Sequence, residues 1–184
     1  MGYRAYAGIG SRQTPGDVLE LMEASASALA KAGWVLRSGA APGADSAFER
    51  GCDLVGGVKE IFVPWRGFEG REQVALAEPS DAAYEIAERH HPAWGRLKQG
   101  AQKLHARNVH QILGANLEKT EPVKFVLCWT KGAQGEGGTG QALRIARGVG
   151  VEVFDLADSQ VRERIEHWLG VAKAQPNETQ IPLF

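Results

Sequence analysis

The chain has 184 residues, 43% of them hydrophobic and 23% charged, with a formal net charge of −1 at pH 7. That length fits one compact domain with a sizeable core, and the balanced charge excludes a protein that coats nucleic acid through charge alone. No apolar run approaches the length of a membrane span, the N-terminus lacks a secretory pattern, and the two cysteines, Cys52 and Cys128, make neither a disulfide framework nor a zinc spacing. A cytoplasmic protein with no membrane attachment is expected.

Arg4 to Ile9 reads as a first strand. Thr14-Pro15-Gly16-Asp17 opens a helix through about Ala32, with Val18, Leu21, Met22 and Leu29 on one side, and Gly33 stops it. Trp34 to Leu36 is a short second strand, and Asp45 is placed to cap a helix through about Leu54. Val58 to Val63 is a third strand, ended by Pro64. Ser80-Asp81 starts a helix through about His90 that Pro92 breaks, and a further helix runs from about Leu97 to Leu113. Lys124 to Trp129 is an apolar fourth strand, Gly138 to Arg147 a helix, Val151 to Phe154 the last strand, and Ser159 to Ala172 a closing amphipathic helix. Strands alternating with helices predict an α/β domain over 1–172: three layers, a parallel central sheet, and a helical insertion where residues 64 to 123 carry no strand. Residues 173–184 read as a polar tail with an apolar tip, Ile181-Pro182-Leu183-Phe184.

Three glycine-rich turns fall where a strand gives way to a helix. They are Gly8-Ile9-Gly10-Ser11-Arg12, Ser38-Gly39-Ala40-Ala41-Pro42-Gly43-Ala44-Asp45, and Gly135-Glu136-Gly137-Gly138-Thr139-Gly140-Gln141. Glycine lets a backbone approach a ligand closely, and the following helix offers its free N–H groups and positive dipole end. In an open parallel sheet such turns gather at the carboxyl ends of the strands. Each alone is as well explained by a tight connection; three together predict a mouth for a phosphate-bearing molecule. The hydroxyls of Ser11 and Ser38 fit hydrogen bonding to such a ligand. Asp45 reads either as a helix cap or as a catalytic carboxylate.

Between Arg89 and Leu117 there is no Asp or Glu, while Arg89, Arg96, Lys98, Lys103, Arg107 and four of the five histidines fall there. Lys103, Arg107 and His110 share one helical face, opposite Leu97, Ala101, Leu104 and Ile112. Two readings stand, a solvated basic face or a cationic wall over an anionic ligand. Asn108 either reads a base edge or caps a loop. His105 and His110 are five apart, off the spacing of a helical metal pair, so no metal and no cofactor is expected. Trp65 and Trp129 follow strands and either stack on a base or pack at the sheet edge.

The stretch from Ser38 to Ala47 resembles the S-G-x-A-x-G-x-D-x-x-A signature of DprA/Smf proteins, Gly137-Gly138-Thr139 resembles a second phosphate loop, and Gly8 to Arg12 fits the first-strand turn. Together they resemble the SLOG superfamily of Rossmann-like domains over about residues 3 to 170, and within it small stand-alone DprA-like proteins, many carried by bacteriophages. The resemblance implies a Rossmann-like fold and a ligand site at Gly8, Gly10, Ser11, Arg12, Ser38, Gly39, Gly43, Asp45, Gly137, Gly138 and Thr139; the reading of the third turn, the acid-free helix and the end of the fourth strand adds Gln141, Arg107, Asn108 and Trp129. The related lonely-guy phosphoribohydrolases carry a glutamate after their Gly-Gly-x-Gly-Thr turn. Here Gly140, Gln141 and Ala142 follow Thr139, which argues against N-glycosidic hydrolysis.

The resemblance therefore implies a binding protein for an ADP-ribose derivative or a cyclic nucleotide. With no effector attached, such a protein suits a sink by which a bacteriophage removes a host antiviral signal. A DprA-like single-stranded DNA accessory and a phosphoribohydrolase-like enzyme are the alternatives. Further copies of the chain are expected partners. Gln180-Ile181-Pro182-Leu183-Phe184 resembles the pentapeptide by which bacterial proteins dock on the sliding clamp: Gln180 would bond at the rim of a groove while Leu183 and Phe184 fill it.

Overall fold

The computed structural model describes residues 3–133, 135 and 137–174, with side chains through 170; the clamp-like pentapeptide lies outside the described residues. Five parallel strands, β1 (Ala5–Gly8), β2 (Val35–Ser38), β3 (Lys59–Ile61), β4 (Phe125–Cys128) and β5 (Glu152–Asp155), form one sheet in the order β3-β2-β1-β4-β5. Every residue of β1, β2 and β4 is buried. These strands are covered on both faces, which is why β1 and β4 read as apolar runs, while β2 buries Arg37 and Ser38 with its apolar residues.

The strand alternation sorts the core into two layers. Tyr6, Leu36, Phe125, Leu127 and Phe154 point to one face, which α1 (Gly16–Lys31), α2 (Ala44–Asp53) and α6 (Ser159–Ala174) cover with Met22, Leu29, Phe48, Ile165 and Trp168. Tyr6 stacks on Phe125 at 5.5 Å, and Phe154 meets Phe125 edge-on at 5.9 Å. Each such ring, fully buried, contributes roughly 1.5–3 kcal/mol. Ala5, Ala7, Val35, Val126 and Cys128 point to the other face, against α3 (Asp81–Arg89), α4 (Gln99–Leu113) and α5 (Gly137–Gly148). The expected insertion thus supplies two of the three helices of the second layer. It departs from a strand-free stretch at one point, a parallel bridge between Phe62 and Leu76.

From β1 the chain winds outward to β2 and β3. It then crosses back through α3 and α4 to enter β4 on the opposite side of β1. The strand order therefore reverses between β1 and β4, and the crevice beyond their carboxyl ends is where ligands bind in open α/β sheets. Among the described residues no helix is long and apolar enough to cross a membrane.

Candidate functional site

The first two turns lock together at that crevice. Ile9 N donates to Leu127 O at 3.2 Å and Ser11 N to Trp129 O at 3.3 Å, extending the β1–β4 pairing past the strands. Ser11 O then accepts from Thr14 N, Thr14 Oγ1 and Ala44 N, and Ser11 Oγ accepts from Gln13 N at 3.0 Å. Ser38 Oγ donates to Gly8 O at 2.7 Å, tying β2 to β1. A Cβ at residue 10 would lie 2.6 Å from the Ala44 Cβ, and one at residue 8 would lie 2.6 Å from the Phe48 ring. Both glycines therefore have a packing reason of their own. Arg12 is exposed at the rim. Trp129 is partly buried and packs on the α1/α2/α6 core.

The second turn begins α2 earlier than its sequence predicts. Gly43, at φ +89°, is the N-cap, and a side chain there would run into Arg12 Cα at 2.8 Å. Asp45 consequently lies inside the first helical turn and not at the cap. Its Oδ2 accepts from Ala41 N at 3.4 Å and faces Arg107 Nη1 at 3.6 Å. Burial pushes the Asp45 carboxyl up to about 6, against the opposing pull of Arg107 and the Ala41 N–H. The pair is 97% and 94% buried, respectively.

Arg107 carries the unusual feature of the site. Its Nε and Nη1 are buried without a hydrogen-bond partner among the described residues, and so is Gln111 Nε2 one helical turn on. A Cβ at residue 39 would fall 1.2 Å from Arg107 Nη1 and 2.6 Å from Gln111 Nε2. Two donors without a hydrogen bond, Arg107 Nη1 and Gln111 Nε2, thus converge on the bare backbone of the second turn, where a buried donor left unbonded costs about 1–3 kcal/mol. The acid-free stretch is accordingly no solvated face in its second half. His110 is 1% exposed, with Nδ1 bonded to Gly114 O and Nε2 to Ser80 N.

The third turn is held from behind. Thr130 Oγ1 donates to Asp155 Oδ2 and accepts from Gly135 N at 3.0 Å. Asn108 Nδ2 donates to Gly138 O at 3.0 Å and to Gln141 Oε1 at 3.1 Å, and Gln141 Nε2 reaches Ala87 O at 3.4 Å. Gly137 and Gly138 are exposed with open space where a Cβ would stand, and Thr139 is half-buried. α4 therefore joins the turns: Arg107 and Gln111 address the second, Asn108 the third.

A cavity of about 540 Å³ opens at the third turn, between Gly135, Gly137, Gly138, His91, His105 and Arg144. Sequence reasoning did not include His91, His105, Arg144 or Gln111 in the site. Gln111 was within reach, being four residues after Arg107 on the same face. A smaller cavity, of about 230 Å³, lies around Arg37 at the amino edge of the sheet. The Arg37 guanidinium is already bonded to Glu60, Tyr3 and Glu121 O. Among the described residues no group of three His, Cys, Asp or Glu side chains is placed to hold a metal.

No family model matches the sequence, and no curated protein matches it significantly. The fold is similar to the crystal structure of DNA processing protein A (DprA) from Streptococcus pneumoniae, with a TM-score of 0.52 at 16% sequence identity. The similarity covers 83% of this chain and 50% of that one, so the chain spans about half the length of its structural neighbour. What the two share is a Rossmann-like parallel α/β fold.

Proposed function

We propose that the protein binds and holds a nucleotide-derived anion over its three glycine turns, of the kind represented by ADP-ribose derivatives or cyclic nucleotides. The observation that carries this reading is the buried Arg107 guanidinium, whose Nη1 stands against Gly39 at the carboxyl edge of the sheet with an ion pair to Asp45 but no hydrogen bond among the described residues. The exposed N-terminal turn of α5, bare at Gly137 and Gly138, supplies a second electropositive end. Holding is favoured over turnover because Asp45, the carboxylate at the second turn, is engaged by Ala41 N and Arg107. The role we assign to such holding is removal of a signal by sequestration, as a bacteriophage protein would do it.

Mass spectrometry of the ligand released from heat-denatured protein tests the reading, together with calorimetry against a nucleotide panel for wild type and Arg107→Met. A nucleotide derivative released intact, and bound at least ten-fold less well by the variant, is expected. Unchanged binding by the variant would place the site elsewhere, and steady release of a cleaved product would make the protein an enzyme. The neighbour's designation as a DNA processing protein supplies a second reading, single-stranded DNA as the ligand; binding of a labelled oligonucleotide at physiological salt, with no released nucleotide, would favour it.

A further inference from the structure

Past β3 the chain makes a closed loop that the site described above does not use. It leaves the sheet at Phe62 and returns beside it at Leu76, where the two residues bridge in parallel. Ala75 N donates to Ile61 O at 2.8 Å and Val63 N to Leu76 O at 3.1 Å. Inside the loop Trp65 meets Phe68 edge-on at 5.1 Å, and Phe68 and Val74 pack on a small apolar cluster of Ala40, Ile61 and Val63. Ala40 belongs to the second glycine turn. It is 3% exposed, and Gly39 beside it is buried as well. A ligand therefore cannot reach the backbone of that turn while both of its covers are in place. α4 closes one side with Arg107 and Gln111, and the loop closes the other.

The two covers differ in how firmly they are held. α4 is built into the core through Ala106, Val109 and Ile112, all fully buried. The loop rests on the small cluster and on one ion pair, Arg71 Nη2 to Glu49 Oε2 at 2.9 Å. Sparse apolar packing and a partly exposed ion pair mark a segment that opens more readily than the core. Glu49 lies on α2 and is 2% exposed, and the same Oε2 also accepts from Lys59 Nζ at 3.3 Å. Arg71 can thus leave while Lys59 stays as counter-charge, so opening strands no bare carboxylate. The tip of the loop is strained in addition. Glu69 holds a left-handed backbone at φ +49°, between Gly67 and Gly70 at φ +76° and +71°. Resting on the anion-site reading above, we propose that residues 63–76 form a strap over the second turn, latched by Arg71 on Glu49, and that a ligand reaches this turn only after the strap lifts. The latch is electrostatic, so salt loosens it.

The test measures thiol labelling in the full chain. Ala40→Cys sets a thiol under the strap, and Val63→Cys sets one elsewhere in the same cluster, so that the result does not hang on one variant folding. Cys52 and Cys128, 1% and 0% exposed, report global opening in the same sample. With excess iodoacetamide the introduced thiol is expected to react at least about 100-fold faster than these two, because the strap opens without the core. Arg71→Met should speed the reaction about five-fold, the upper range for a partly exposed ion pair, and about 0.5 M sodium chloride should act in the same sense. Glu69→Asn, which accepts the left-handed backbone more readily, should slow it about three-fold. Labelling at the rate of the two core cysteines, or a rate indifferent to both Arg71→Met and Glu69→Asn, would overturn the strap. Calorimetry of the same proteins with adenosine diphosphate ribose and cyclic adenosine monophosphate separates this inference from the reading it rests on. A latch-dependent thiol in a chain that binds neither nucleotide keeps the strap and removes the nucleotide reading. Nucleotide binding by a chain whose introduced thiol reacts no faster than the core keeps that reading and removes the strap.

Discussion

Arg107 lies against the backbone of Gly39 so closely that a Cβ on residue 39 would stand 1.2 Å from its Nη1 and 2.3 Å from its Cζ. The second turn and α4 are thus fitted to each other by the absence of one side chain, and the guanidinium is parked at the carboxyl edge of the sheet with Asp45 as its counter-charge at 3.6 Å. Gly39→Ala should push Arg107 out of this seat. The expected result is a folded protein destabilised by about 1–3 kcal/mol, as for other overpacked sites. Nucleotide affinity should fall at least ten-fold, because a hydrogen bond to a charged group contributes roughly 1.5–3 kcal/mol. Urea midpoints and calorimetry measure the two effects, and full affinity in the folded variant would show that Arg107 does not face the ligand.

The glycines of the third turn should separate into two classes. A Cβ at Gly140 would meet Gly135 O at 1.6 Å, an unyielding backbone contact, whereas Gly138 has nothing within 4 Å of the same position. Gly140→Ala should lower the thermal midpoint by several degrees and disturb the whole turn. Gly138→Leu should leave the midpoint within a degree or two, yet block the approach of a ligand to the α5 N-terminus. A Gly138→Leu protein that unfolds early, or one that binds nucleotides as wild type does, contradicts this assignment.

The order of elements was legible from the alternation of apolar strands with amphipathic helices, and so was the helical insertion, because no β-rich run interrupts residues 64 to 123. The cap of α2 was not. Asp45 has the right chemistry, but Gly43 reaches φ +89° and starts the helix two residues sooner. The charge of Arg107 stood out against a stretch free of acid, whereas its burial depends on the glycine opposite it in space, which no local pattern reveals. In the sequence Gly8 and Gly10 have the placement of ligand approaches. Their contacts with Phe48 and Ala44 show a packing demand that arises only when α2 is laid on the sheet. In sequence the histidine nearest His105 on its helix is His110, while its actual ring neighbour, His91, comes from the segment before α4.

Asn108 is the joint between α4 and the third turn, with a single amide nitrogen serving both Gly138 O and Gln141 Oε1. It is 7% exposed, so removing it leaves Gln141 Oε1 short of a donor in a dry place and frees Gly138 O at the surface. Asn108→Leu should cost about 2–3 kcal/mol of stability, in line with the loss of buried hydrogen bonds. The loss should be local as well as global. Amide exchange at Gly138 to Gln141 is expected to speed up by an order of magnitude or more, while exchange at Ala5 to Gly8 follows only the change in global stability. Uniform acceleration across the domain would mean that Asn108 is an ordinary core residue and not the pin of the turn.

The response to acid sets two buried groups against each other. His110 is held neutral, its basicity lowered by burial and partly restored by its bond to Gly114 O. A depressed folded-state value means that the stability it contributes is present above about pH 6.5, the unfolded value, and is lost as pH falls through the folded one. His105 acts in the same sense. Asp45 acts oppositely. Its carboxyl is raised to about 6 by burial, so the folded state takes up a proton that the unfolded chain, near 3.8, does not. Asp45 therefore adds stability as pH falls from about 6 towards 4. Between pH 7 and pH 5 the wild-type protein should show a shallow dependence, the two trends offsetting one another. Asp45→Asn removes the stabilising trend and leaves the histidines unopposed. Urea midpoints at pH 7, 6 and 5 should then decline more steeply for the variant than for wild type. Parallel lines for the two proteins would show that Asp45 titrates near its ordinary value and that its ion pair with Arg107 outweighs its burial.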